Sequence, residues 1–160
     1  MAIRSSDYLS KHFRLSELTR TSSKLANTPT SSIIIDRLRE LCVNVLEPVR
    51  SHFGRAVLIH SGYRSPAVNS AIGGSKTSQH MKGEAADFHV PGQTVYDVAM
   101  WISETLEYDQ LILENFVPGS GSSGWVHCSY AKKNRDEELT KFKGSKQYYE
   151  GILLYPEDAS

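Results

Sequence analysis

His80 and Asp87 stand with six residues between them in the stretch Ser78-Gln-His-Met-Lys-Gly-Glu-Ala-Ala-Asp87. An imidazole nitrogen and a carboxylate oxygen are donors suited to zinc. Two ligands do not make a site, and the best third is His127, in Trp125-Val126-His127-Cys128-Ser129-Tyr130. Two histidines and one carboxylate leave the fourth position open for water, as a catalytic zinc requires. Hydrolysis there needs a base beside the water, whose pKa the metal lowers towards about 7. Glu114 is the chosen base. Arg64 offers a permanently charged planar fork suited to a substrate carboxylate. Ser78 is placed to hydrogen-bond a substrate or orient a ligand, and Trp125 to line the cleft or simply pack.

The elements that must hold these groups can be read from spacing. Gly83 can take backbone angles closed to larger residues, and Ala85 and Ala86 are small enough to pack where the chain enters a core. Side chains alternate across a strand. Trp125, His127 and Ser129 therefore share one face of a last strand, with Val126, Cys128 and Tyr130 opposite. In the strand before it, Gln110, Ile112 and Glu114 share a face, with Leu111 and Leu113 on the other. Directly opposed residues of an antiparallel pair lie on the same side, so Glu114 opposite Trp125 or His127 puts its carboxylate beside the third ligand. His89 shares the face of Asp87 and stands as a candidate to support the ligands, whereas Glu84 faces the other way. His12, His52 and His60 read as surface or packing residues.

Elsewhere, Ser16 is the expected cap of a short first helix. Ser31 or Ser32 starts a longer one, with Ile34, Leu38, Leu41 and Val45 on one buried face. Pro48 should kink or restart it, and Gly54 should end it. Residues 56–60 read as a strand running into a turn that presents Arg64, and Ser65-Pro66 opens a short helix. Residues 84–90 read as a strand, and Thr94 caps a helix to about Leu106. The loop 115–124, rich in glycine and serine, reads as mobile. In the tail beyond Ala131 only the docking of its last apolar residues is foreseen.

Bulk properties narrow the class. Eighteen basic and 18 acidic residues give zero formal net charge, which argues against a strong electrostatic nucleic-acid binder. Hydrophobic residues at 39% and charged residues at 22% suit a globular protein with one core. The two cysteines, Cys42 and Cys128, suggest neither a disulfide scaffold nor a metal knuckle. No apolar run approaches the roughly 20 residues of a membrane span. The first residues lack the apolar core of a secretory signal, so synthesis in the cytoplasm with another route of release is expected.

Ser78-x-His80-x-x-Gly83-x-Ala85-x-Asp87 resembles the signature of the zinc D-alanyl-D-alanine carboxypeptidase family. That family includes L-alanyl-D-glutamate peptidases used as phage endolysins, and the Hedgehog signalling domain shares its zinc-binding fold. Phe13-Arg14-Leu15-Ser16-Glu17-Leu18, Ser61-Gly62-Tyr63-Arg64-Ser65 and Trp125-Val126-His127 also look like that family. The resemblance implies an α+β fold with a central antiparallel sheet flanked by helices. It implies zinc on His80, Asp87 and His127, substrate or charge binding by Arg64, and cleavage of peptide bonds in peptidoglycan. Many members carry an acid two or three residues before the second histidine, but here those positions are Gly124 and Trp125. A subgroup with Asp-Gln-Leu-Ile-x-Glu before the last strand is the better likeness, and it favours Glu114. The expected organisation is a single zinc peptidase domain over 1–160, with N-terminal helices 8–54, catalytic core 55–131 and tail 132–160. The partner would be a peptidoglycan peptide, with no nucleic acid and no membrane, and the site of action the bacterial cell wall. The rival expectation is a non-catalytic zinc-binding module of a cell wall or virion, motivated by the acid missing near His127.

Overall fold

Ile35, Leu38, Leu41 and Val45 recur at helical spacing, and all are buried in the computed structural model, which describes residues 2–160. They belong to helix α2 (Ser32–Leu41) and to a five-residue π-helical stretch, Cys42–Leu46, that continues directly into α3 (Glu47–Phe53). The wider turn has a local cause. Pro48 has no N–H, and its ring would meet the carbonyl one turn back. The Glu47 N–H reaches instead to Cys42 O, and the helix restarts around the proline without breaking. Gly54 ends it in the left-handed conformation. The inward position at the start of α2 belongs to Ile35, with Ile34 only partly covered. Ahead of these lies α1 (Leu15–Leu18), whose N-cap is Arg14. Ser16, the expected cap, sits inside the helix. Glu17, the third residue of the helix, turns back to accept from the Arg14 N–H at 3.0 Å and so closes the first turn.

The sheet has six strands: β1 (Leu58–Ser61), β2 (Ala85–His89), β3 (Gln110–Phe116), β4 (Trp125–Ser129), β5 (Glu137–Phe142) and β6 (Tyr149–Glu150). Their spatial order is β1-β2-β4-β3-β5-β6. The α+β class is as expected, but the sheet is mixed. Every pairing is antiparallel except that of β3 with β5, which is parallel. That join comes from the segment whose strands were not foreseen. Charged residues at Glu137, Glu138 and Lys141 blur the alternation of β5, and only Thr140 and Phe142 turn fully inward. The tail also docks as expected, with Ile152 buried and Leu153 and Leu154 partly so.

Helices α4 (Pro66–Ala71) and α5 (Val95–Thr105) start where capping predicts. The Ser65 Oγ accepts from the Val68 N–H, and the Thr94 Oγ1 from the Asp97 N–H. Val95, Val98, Ala99 and Ile102 of α5 are buried. They join one core with Leu38, Leu41 and Val49 and with the apolar sheet face, which carries Ile59, Ala86, Phe88, Leu111, Leu113, Val126 and Cys128. The loop 115–124 is tied down. Its Gly121 O accepts from the Tyr96 N–H, its Gly119 N–H bonds to Leu154 O, and its Ser123 Oγ accepts from the Val117 N–H. No helix among the described residues is long and apolar enough to cross a membrane.

Both cysteines are free and fully buried. Burial pushes the Cys42 thiol up to about 12 and the Cys128 thiol higher still. The thiolate is the reactive form, so both should resist maleimide or iodoacetamide in the native protein and react in denaturant. Mass spectrometry before and after unfolding checks this; rapid native labelling at either residue would contradict it.

Candidate metal centre

The polar face of the sheet is assembled by register. Asp87 of β2 lies opposite His127 of β4, and Glu114 of β3 lies opposite Trp125 of β4. Asp87, His127, Glu114 and Trp125 therefore point to the side away from the core, as alternation requires. His80 arrives from a 3₁₀ turn, Gln79–Lys82, that precedes β2. Ser78 caps that turn, its Oγ accepting from the His80 N–H at 3.2 Å. Gly83 closes it at φ +75°, and a side chain there would press on Ile34 O at 2.9 Å. A glycine is thus needed twice over, for backbone angle and for space.

The arrangement fits a metal. His80, Asp87 and His127 are all buried, and one donor atom from each lies within 4.8 Å of the others. His80 Nε2 stands 3.4 Å from Asp87 Oδ2, and His127 Nδ1 stands 3.0 Å from Asp87 Oδ1. Tetrahedral zinc at about 2.0–2.1 Å from each donor spaces its ligands about 3.3 Å apart, and both histidine–aspartate distances lie close to that spacing. The other nitrogen of His80 is committed: Nδ1–H donates to Gly62 O at 2.7 Å, which leaves Nε2 as the nitrogen that faces Asp87. Burial alone would raise the Asp87 carboxyl. Hydrogen bonds from His127 and His80, with their charges, reverse this and hold it far below the usual carboxylate range. Asp87 is therefore an anion ready for a cation.

Arg64 leaves the end of β1 and reaches the same group. Its Nη2 lies 3.5 Å from Asp87 Oδ2, and its Nε–H donates to Ser61 Oγ at 3.0 Å. The turn that presents it is held by Asn27. The Asn27 Nδ2 donates to Thr19 O and Tyr63 O, and its Oδ1 accepts from the Ser65 N–H at 2.7 Å. Asn27→Ala should cost about 1–3 kcal/mol for each of these backbone groups left buried and unpaired. Denaturant unfolding measures that loss, and no change in midpoint would show that water replaces the amide.

Glu114 lies in the same cleft of about 520 Å³, which is lined also by Arg64, Ser78 and Trp125. Partial burial raises its pKa, with the nearby Asp87 charge adding to the rise and His127 opposing it. A raised carboxyl can accept and release a proton near neutral pH more readily than an exposed one. The cleft is lined also by residues outside the expected set, Gln79, Arg135 and Tyr148 among them. Arg135 and Tyr148 belong to the tail, where no spacing rule marked them. His89 is not drawn to the ligands. Its Nδ1 meets His60 Nε2 at 2.6 Å, the two rings stacked beside a bulge in β1.

No curated protein matches the chain at a significant level. A family model described as Peptidase M15 matches residues 11–129, a span that includes Arg64, His80, Asp87, Glu114 and His127. That match covers well over half the chain, and with a buried His-His-Asp group at its centre, the chain belongs to the peptidase M15 family of zinc-dependent metallopeptidases.

Proposed function

We propose that this chain hydrolyses peptide bonds in the stem peptides of peptidoglycan, as a phage-type endolysin or a cell-wall peptidase. The observation that carries the reading is the position of Glu114. It sits in register with Trp125, next to His127 on β4, in the same cleft as the ligand group, where many relatives would use an acid just before the second histidine. Zinc bound by His80, Asp87 and His127 would supply a Lewis acid and an acidified water. Glu114 takes the proton of the attacking water and delivers it to the leaving amine. Arg64 binds a substrate carboxylate or steadies the negative charge that develops on the carbonyl oxygen. Ser78 and Trp125 border the cleft where the peptide lies.

Digestion of purified muropeptides, followed by mass spectrometry, tests the reading. The expected products carry one new amine and one new carboxyl, and appear only while zinc is present. The fragment masses also tell L-alanyl-D-glutamate from D-alanyl-D-alanine cleavage, and internal from terminal attack. Protein that binds zinc and cell wall yet releases no new amine would instead be a non-catalytic wall or virion module.

A further inference from the structure

The two histidine ligands are held by different means. His80 donates to a backbone carbonyl, Gly62 O. His127 rests on a chain of side chains. Its Nε2 lies 3.2 Å from Gln79 Oε1, and Gln79 Nε2 lies 2.6 Å from Asp109 Oδ2. Asp109 is buried and takes further bonds from Arg135: the backbone N–H and Nε–H reach Oδ1, both at 3.0 Å, and Nη2 reaches Oδ2 at 2.9 Å.

The direction of every bond in this chain follows from its far end. Arg135 carries only donors and is always charged. It holds Asp109 as a carboxylate, which only accepts. Burial would raise the Asp109 carboxyl, and the Arg135 bonds pull it below its ordinary value. The Gln79 amide must then turn its NH₂ towards Asp109 and its oxygen towards His127. An amide oxygen only accepts, so His127 Nε2 must carry the hydrogen. That leaves Nδ1, which faces Asp87 at 3.0 Å, as the nitrogen that can exchange its proton for a metal.

We propose that Gln79 is a positioning residue that selects the metal-binding nitrogen of His127, and that Asp109 and Arg135 set its orientation. Arg135 lies beyond the residues matched by the family model, so the anchor of this chain comes from the tail. The proposal rests on the metal centre read above and not on the substrate. Failure to cleave peptidoglycan would leave it standing.

The test uses Gln79→Leu, which keeps the bulk and removes both hydrogen bonds. Zinc affinity is read by competition with a chromophoric chelator. Histidine protonation in the zinc-loaded protein is read from long-range ¹H–¹⁵N spectra. Wild type should show zinc on His127 Nδ1 and a slowly exchanging Nε2–H. Q79L should bind zinc about 10–100-fold more weakly, the usual effect of losing such a support, and its Nε2–H should exchange fast. Q79E/D109N moves the one carboxylate to position 79, where it accepts from His127 and from the new amide at 109, while the amide oxygen keeps the Arg135 N–H and Nε–H and the Nη2 bond is given up. It should restore affinity to within a few fold of wild type, and it decides the matter if Q79L does not fold. Wild-type affinity and a protected Nε2–H in Q79L would overturn the proposal. So would zinc on Nε2 in the wild type, a double variant as weak as Q79L, or a wild type that takes up no zinc.

Discussion

Glu114→Gln is expected to leave the protein folded and zinc-loaded while lowering kcat by about 10²–10⁴-fold, the usual contribution of a positioned proton acceptor. Gln fills the same space against Trp125 and Ile112 and keeps an oxygen, but it cannot take a proton at any working pH. The ligand group of His80, Asp87 and His127 does not include Glu114, so zinc content should not change. The pH profile carries a second signature. Glu114 accepts only when ionised, and its half-buried carboxyl ionises less readily than an exposed one. The wild-type rate should therefore fall as pH drops through its pKa, and the residual rate of E114Q should lack that limb. Turnover and metal content measured side by side separate the outcomes. Near-wild-type turnover in E114Q would mean that another group takes the proton.

Asp87→Asn should remove the metal as well as the activity. The substitution preserves size and one oxygen, but it replaces an anion that two imidazoles and the Arg64 guanidinium surround. Structural zinc sites bind with about 10–16 kcal/mol shared among four ligands, or about 3–4 kcal/mol each. A weakened ligand of that size lowers affinity by about 10²–10³-fold. Dialysis against a zinc buffer followed by metal analysis should find the variant empty at concentrations that saturate the wild type. Retention of wild-type affinity would show that Asp87 serves Arg64 and not the ion.

Much of this centre could be read in advance because its rules are local. His80, Gly83 and Asp87 are tied by a turn that glycine alone permits, and that geometry is written in eight consecutive positions. The faces of β3 and β4 followed from strict alternation, and Glu114 meets His127 on the condition that it opposes Trp125 or His127, of which the register selects Trp125. The support behind His127 was harder to see. Gln79 meets Asp109 across 30 residues of chain, and Asp109 meets Arg135 across a further 26. Polar side chains at loop ends carry no periodicity that would announce such a meeting. His89 was placed on the correct face, yet a bulge in β1 offers it His60 as a closer partner. The π-helical turn was hidden for a related reason: proline marks a disturbance but not which of several backbone solutions absorbs it. The helix at α1 shows a smaller version, where a glutamate replaced the serine as the group that completes the first turn.

The parallel pairing of β5 with β3 has a consequence for solubility. β3 holds the apolar run Leu111, Ile112 and Leu113, and on one flank its N–H and C=O groups are satisfied only by β5. A chain shortened to the end of β4 would present that flank bare, as a long, greasy template for strands of other copies. The polar tail thus acts as a guard against self-association, shielding the most adhesive edge of the molecule with a strand rich in charge.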